Sequence, residues 1–295
     1  MKYIEKHPII MIVIGILGIS LSSIFVKYST APSAVTAAYR LLWTVLLMSP
    51  VVFSKKTVRH ELLSAKPKTI LLCALSGLFL AIHFVLWFES LSHTTIASST
   101  TIVCTEVIWV SIGYCLFMKG SLSKKAILCI GITLIGSIFI AWSDSIYSNH
   151  LYGDILALLA AVAVAVYMLI GRAVRKAQST TVYTYIVYLA CAIVLVIMCL
   201  VQNVSLFAYG ISAPVVGLLL AIFSTILGHS IFSWCLKYFS PSFVSASKLC
   251  EPVVSAIFAI FLFNEIPTLI QIAGAILIIG GNYLYSQIEQ KEASE

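Results

Sequence analysis

The sequence predicts an all-α polytopic membrane protein of ten transmembrane helices, built as a five-plus-five inverted repeat. Three observations predict it. Of 295 residues, 61% are hydrophobic and 10% charged, whereas a soluble domain carries about 25% charged residues to wet its surface. The apolar residues fall into runs of about 20, the length a helix needs to cross about 30 Å of hydrocarbon. Finally, basic residues collect in alternate loops, and a segment of the second half repeats one of the first.

The first run, 8–27, has no small-residue cleavage site, and Ser22, Ser23 and Lys27 continue the helix. It is a retained span rather than a signal peptide. Runs two to five occupy 34–53, 69–91, 95–117 and 125–142, the fifth being the shortest. Runs six to ten occupy 152–171, 182–201, 213–235, 242–263 and 268–286, the eighth beginning near Pro214. Backbone groups inside lipid must be satisfied within their own segment, so each run is a helix. Barrel strands would be shorter and would alternate. The first repeat is expected at 1–143, the second at 152–286, and a cytoplasmic tail at 287–295.

A net charge of +7 would raise nucleic acid as a partner in a soluble protein. Its placement argues against that. Lys2 and Lys6 precede run one; Lys55, Lys56, Arg59, Lys66 and Lys68 follow run two; Lys119, Lys124 and Lys125 follow run four. Arg172, Arg175 and Lys176 follow run six, Lys237 follows run eight, and Lys291 lies in the tail. With ten alternating spans these all fall on one side, the positive-inside pattern. It predicts a plasma-membrane protein with both termini in the cytoplasm. The eight cysteines, Cys73, Cys104, Cys115, Cys129, Cys191, Cys199, Cys235 and Cys250, all lie inside apolar runs without a C-x-x-C pair. They are packing residues, not zinc ligands or disulfides.

In the internal repeat, Glu106 falls on Glu251 and Val107 on Pro252. Leu116 to Gly120 meets Phe261 to Glu265, and His83 corresponds to His229 with a one-residue slip. Downstream, Gly131 and Gly136 resemble Gly274 and Gly280. Five spans is an odd number, so the second half runs upside down relative to the first. Inverted repeats are the usual build of secondary transporters, with the substrate site near the midplane where the halves meet.

At these residues the chain resembles the EamA-like branch of the drug/metabolite transporter superfamily. The resemblance rests on Tyr39-Arg40, on HFVLWFESL beginning at His83, and on Ala97-Ser98-Ser99-Thr100. It continues through Gly228-His229, Glu251-Pro252 and Glu265, and so covers nearly the whole chain. It implies the ten-helix inverted repeat and a central cavity lined mainly by helices one, three, four, six, eight and nine. It also implies a substrate among amino acids, nucleobases, sugars, other metabolites or drugs, often moved outward. Two departures stand out: Glu106-Val107 where relatives tend to carry Gln-Pro, and Gly120 where they often carry Glu.

The candidate substrate-binding or coupling residues are Glu106, Glu251, Lys248, His83, His229, Arg40 and Trp87. An ionisable side chain at the membrane centre costs about 2.5–3.5 kcal/mol on insertion scales, so it persists only if paired or facing water or a ligand. Burial disfavours the charged form of a carboxyl, which suits groups that take up and release protons; Glu106 and Glu251 are candidates for coupling or for holding a cationic substrate group. Lys248 and Glu251 are three residues apart on one helix face. They either neutralise each other or offer both signs to a zwitterion such as an amino acid. Pro252 frees a backbone carbonyl at the same depth. The histidines are either proton carriers or hydrogen-bonded core residues. Trp87, one turn after His83, is a stacking wall or a packing residue. Arg40 lies roughly two turns inside its helix, either snorkelling or meeting a substrate carboxylate. Ser20, Ser23 and Lys27 form a polar stripe on the first helix, and Glu89 lies near the outer end of the third.

No H-E-x-x-H, G-x-S-x-G or phosphate-cradling G-x-x-x-x-G-K-[ST] occurs, which argues against a metalloprotease, a serine hydrolase or an ATPase. The sequence therefore predicts no enzyme activity and no cofactor. It predicts a secondary active carrier, an exporter of small polar metabolites such as amino acids or related compounds. Such a carrier works by alternating access and is driven by protons or by exchange, with a channel or an intramembrane enzyme as the alternative. The predicted partners are a small-molecule substrate and the lipid bilayer, with protons and a second copy of the chain as candidates.

Overall fold

The computed structural model describes residues 8–94, 96–144, 151–175, 177–263 and 268–294. Among them every regular element is helical. Helix α1 runs Pro8–Ser20 and resumes as Ser22–Lys27; α2 is Ser33–Ser54 and α3 is Pro67–His93. α4 is broken into Ile96–Cys104 and Glu106–Met118, α5 is Lys124–Asp144, α6 is Leu151–Val174 and α7 is Thr180–Val201. α8 joins Ser212–Leu219, a π-helical Leu220–His229, and Ser230–Cys235. α9 joins Pro241–Ser247, a 3-10 turn at Lys248–Cys250, and Glu251–Phe263; α10 is Leu269–Ser294. Eight of these, all but α5 and α9, are long and apolar enough by themselves to cross a membrane. The outside of the bundle is as apolar as its inside: Leu46, Leu128, Ile193 and Ile276 are all more than half exposed. That is the surface expected of a chain whose solvent is lipid.

Local sequence sets several helix ends. Pro67 and Pro241 occupy first-turn positions, where proline's missing N–H is no loss. Ser179 and Ser240 cap α7 and α9 by accepting from the N–H of Val182 and Phe243. α4 ends on Lys119 in the left-handed region at φ 54°, with the Gly120 N–H closing onto the Tyr114 carbonyl.

The packing obeys an exchange of halves. α3 lies along α6 as α8 lies along α1; α7 packs on α3 as α2 packs on α8; α4 meets α6 as α9 meets α1. The pairs α2–α7 and α5–α10 map onto themselves. Closely approaching glycines follow the same rule. A Cβ on Gly77 of α3 would stand 2.5 Å from the Val187 carbonyl of α7, and one on Gly217 of α8 would stand 2.5 Å from Tyr39 Cβ of α2. Gly136 presses on the Gly274 carbonyl, whereas Gly131 and Gly280 face open space.

Loop contacts sort the two faces. Glu61 Oε1 accepts from the Ser179 N–H at 2.6 Å, and Glu289 accepts from Ser240 through its N–H and hydroxyl at 2.5 and 2.9 Å. This brings the α2–α3, α6–α7 and α8–α9 connections and the end of α10 to one side, with the predicted basic clusters. Opposite, the hydroxyls of Thr30 and Ser212 share a hydrogen bond of 2.7 Å, and Thr94 donates to Asp154 Oδ1 at 2.9 Å.

The structure amends several sequence expectations. The α2–α3 basic loop contains a short exposed helix, Lys56–Leu63. Runs one, four, eight and nine are interrupted rather than continuous. The tail from 287 continues α10 as helix to Ser294. Lys2, Lys6, Lys176 and Glu265 lie outside the described residues, as does the side chain of Lys27.

Candidate functional site

The two interrupted helices α4 and α9 bring two carboxyls to the bundle centre. Thr105 turns the chain in α4: its hydroxyl donates back to the Ile102 carbonyl at 2.6 Å, and Glu106 then starts a new helix. In α9 the 3-10 turn ends at Cys250 and Glu251 starts the second piece, with Pro252 behind it. Each carboxyl therefore sits at a half-helix N-terminus, where the backbone dipoles favour negative charge. The two positions correspond in the repeat.

Around them lies a small cavity of about 40 Å³ lined by residues of α1, α2, α3, α4, α6, α8 and α9. This is the set implied by the resemblance, with α2 added through Arg40. All seven candidate residues line it. The ion pair that forms is not the one local spacing suggested. Lys248 Nζ lies 2.9 Å from Glu106 Oε1, across the two halves, and not against Glu251. Ser245 donates to the same carboxylate oxygen at 2.8 Å. The Lys248 ammonium also meets Met168 Sδ at 3.4 Å and the Phe232 ring, whose centroid is 5.5 Å away.

Arg40, 1% exposed, donates through Nε to Thr225 Oγ1 at 2.7 Å and through Nη1 to Ser22 Oγ at 3.4 Å. Its guanidinium carbon lies 4.1 Å from the Phe84 ring centroid, a cation–π contact. Glu251 is 9% exposed. Among the described residues neither Arg40 nor Glu251 has an ion-pair partner within 4.0 Å, and no hydrogen bond closes on the Glu251 carboxyl. His83 Nδ1 is 3.0 Å from the Ala160 carbonyl. A carbonyl only accepts, so Nδ1 carries the proton there. The His83 ring stacks on Trp87 at 6.0 Å and 11°, and meets His229 edge-on at 6.3 Å. Trp87 Nε1 and His229 Nδ1 are buried without a hydrogen-bond partner among the described residues.

Towards the basic side the cavity gives way to buried hydroxyl pairs. Tyr167 meets Ser233 at 2.9 Å, Tyr188 meets Ser230 at 3.0 Å, and Tyr183 meets Ser76 at 2.9 Å. Sequence reasoning missed Ser22, Thr225, Ser245 and Tyr167. Thr225 stands four residues before His229 and Ser245 three before Lys248, so the signal was a small hydroxyl one turn from an ionisable residue. The stripe assigned to α1 shifts in register. Ser20 spends its hydroxyl on the Ile16 carbonyl at 2.7 Å, and Ser22 rather than Ser20 or Ser23 lines the cavity. Glu89, half exposed, accepts from Ser33 and pairs with His93 away from this group. Among the described residues no three His, Cys, Asp or Glu side chains cluster as a metal site requires.

The EamA-like transporter family model matches twice, over residues 6–142 and 151–287. The chain belongs to the EamA-like transporter family. An uncharacterized transporter of Archaeoglobus fulgidus is 23% identical over 257 residues, covering 84% of this chain and 86% of that protein. A crystal structure of another protein, 15% identical, covers 96% of this chain and 98% of its own with a TM-score of 0.79. That likeness establishes a shared fold. As an EamA-like transporter, the protein is a polytopic membrane protein whose cavity holds ionisable residues from both halves.

Proposed function

We propose that this transporter is a secondary active carrier working by alternating access, moving small polar metabolites, amino acids or related compounds among them, outward across the plasma membrane. Residues 1–143 and 152–286 act as the two moving repeats, and both termini face the cytoplasm, as the basic loops suggest. The observation that carries this reading is the convergence of Glu106, Lys248, Glu251 and Arg40 on one cavity at the depth where lipid tolerates charge least. A site of this kind at a repeat interface is where inverted-repeat carriers bind substrate and coupling ion. With no nucleotide-binding motif in the sequence, the energy comes from a proton gradient or from solute exchange.

The test is transport by reconstituted protein as a function of pH. Glu106→Gln and Glu251→Gln should each change the pH profile of uptake into proteoliposomes while leaving membrane insertion intact. Profiles like that of the parent protein in both variants would remove the two carboxyls as coupling groups.

A further inference from the structure

The cavity's two carboxyls and two basic side chains are not equivalent. Lys248 and Glu106 are matched to each other at 2.9 Å and Ser245 completes that carboxylate's shell. This leaves one cation and one acid, Arg40 and Glu251, each facing the same space with no ion-pair partner among the described residues. The Arg40 guanidinium is held by its inner edge: Thr225 accepts from Nε and passes its own proton to the Leu220 carbonyl at 3.2 Å. That bond runs from residue 225 back to 220 within the π-helical stretch of α8, so the irregular turn is what aims the threonine at the arginine. Phe84 covers one face of the guanidinium. A guanidinium carries five N–H donors, and among the described residues only Nε and Nη1 donate a hydrogen bond, the latter weakly at 3.4 Å. The planar fork of a guanidinium is the geometry that takes a carboxylate.

We propose that Arg40 and Glu251 are the two poles of the substrate site, binding the carboxylate and the ammonium of one net-neutral zwitterion such as an α-amino acid. The proposal rests on the carrier reading above. A ligand of a single charge would leave the opposite pole buried and unmatched, which is costly at this depth. A zwitterion satisfies both poles. The stacked His83–Trp87 pair forms a flat wall beside the cavity, and the Trp87 indole N–H, without a partner among the described residues, supplies a further donor to a ligand acceptor. The Glu106–Lys248 pair is thereby a brace between halves and not a substrate contact.

The experiment uses the full-length protein with the protein amino acids as probes. Alongside them go their amides, which lack the carboxylate, their N-acetyl derivatives, which lack the ammonium, and simple monocarboxylates, amines and sugars. Binding is read by thermal shift and carriage by saturable uptake into proteoliposomes. At least one amino acid should bind and be carried, with its amide and N-acetyl form each bound on the order of thirtyfold or more weakly, the loss expected when one partner of a buried charge pair goes. Arg40→Gln should lose the amino acid by a similar factor and then discriminate little between it and its amide. Glu251→Gln should do the same with the N-acetyl form. Such opposite, ligand-specific changes cannot come from misfolding; Arg40→Lys, which keeps the charge, should retain part of the affinity. Amino acids inert while singly charged or uncharged compounds are carried saturably would overturn the pole assignment and leave the carrier reading standing, and amino acids inert together with every other probe would likewise overturn the assignment. Flux that never saturates for any compound would overturn the carrier reading itself.

Discussion

At the scale of single residues, the deciding feature is which charges are spoken for. Among the described residues Glu106 is the only carboxylate paired with Lys248, whose ammonium also touches Met168 and faces the Phe232 ring. Glu106→Gln therefore strands a buried ammonium and should cost about 3–5 kcal/mol of stability. Glu251→Gln breaks no ion pair among the described residues and should cost less than Glu106→Gln, within about 1 kcal/mol. The double variant Glu106→Gln/Lys248→Met removes both charges from apolar surroundings and should cost less than Glu106→Gln alone. Denaturant unfolding in micelles measures all three; equal losses for the two glutamine variants would mean the 2.9 Å pair contributes no stability. The residue types of the site were legible in the sequence because an ionisable side chain at mid-span has so few permitted environments. Its pairing was not. Lys248 and Glu251 are neighbours by local spacing, but the partner that Lys248 takes sits on α4 in the other half, and no periodicity within α9 carries that information.

At the scale of helices, irregular backbone marks the site. Inside a membrane, non-helical or strained segments are tolerated only where protein or a cavity surrounds them. The breaks at Thr105 and at Lys248–Cys250 and the π-helical Leu220–His229 all adjoin the same cavity. Apolar run length announces a span and says nothing of its interior, which is why the ten runs were readable and their interruptions were not. Pro252 alone signalled one of them. α4 breaks at a threonine, and the π stretch contains no proline. Helix contact is set by small residues, which let backbones approach. Gly77→Ala and Gly217→Ala each drive a methyl into a backbone carbonyl or a Cβ at 2.5 Å. Each should lower stability by about 1–3 kcal/mol. Gly131→Ala, with nothing within 4 Å of the new methyl, should be neutral or stabilising by up to about 1 kcal/mol. Melting temperatures of the three variants in detergent check the contrast, and a similar loss in all three would mean that close packing at α3–α7 and α2–α8 is not what the glycines supply.

At the scale of the molecule, the two halves are tied to one another on both faces. Glu61, before α3, holds the Ser179 N–H before α7 on the basic side, and Thr30, before α2, holds Ser212 at the start of α8 on the other. Repeats that rock against each other cannot keep both ties throughout a cycle. The second one is open to a chemical test, because hydroxyl oxygens 2.7 Å apart on two short side chains place their Cβ atoms close to the roughly 3.5–4.5 Å that a disulfide spans. In a background where the exposed Cys115 is replaced by serine, Thr30→Cys/Ser212→Cys should cross-link on mild oxidation. Uptake by the cross-linked protein should fall at least tenfold and return when a reductant opens the bond. Each single cysteine variant should be indifferent to oxidant, which separates trapping from damage. If the cross-linked protein carries substrate at the rate of the reduced one, the halves do not part on this face. The motion would then have to be confined to the basic side, where removing the Glu61–Ser179 contact with Glu61→Ala, which leaves no acceptor for that N–H, becomes the corresponding measurement.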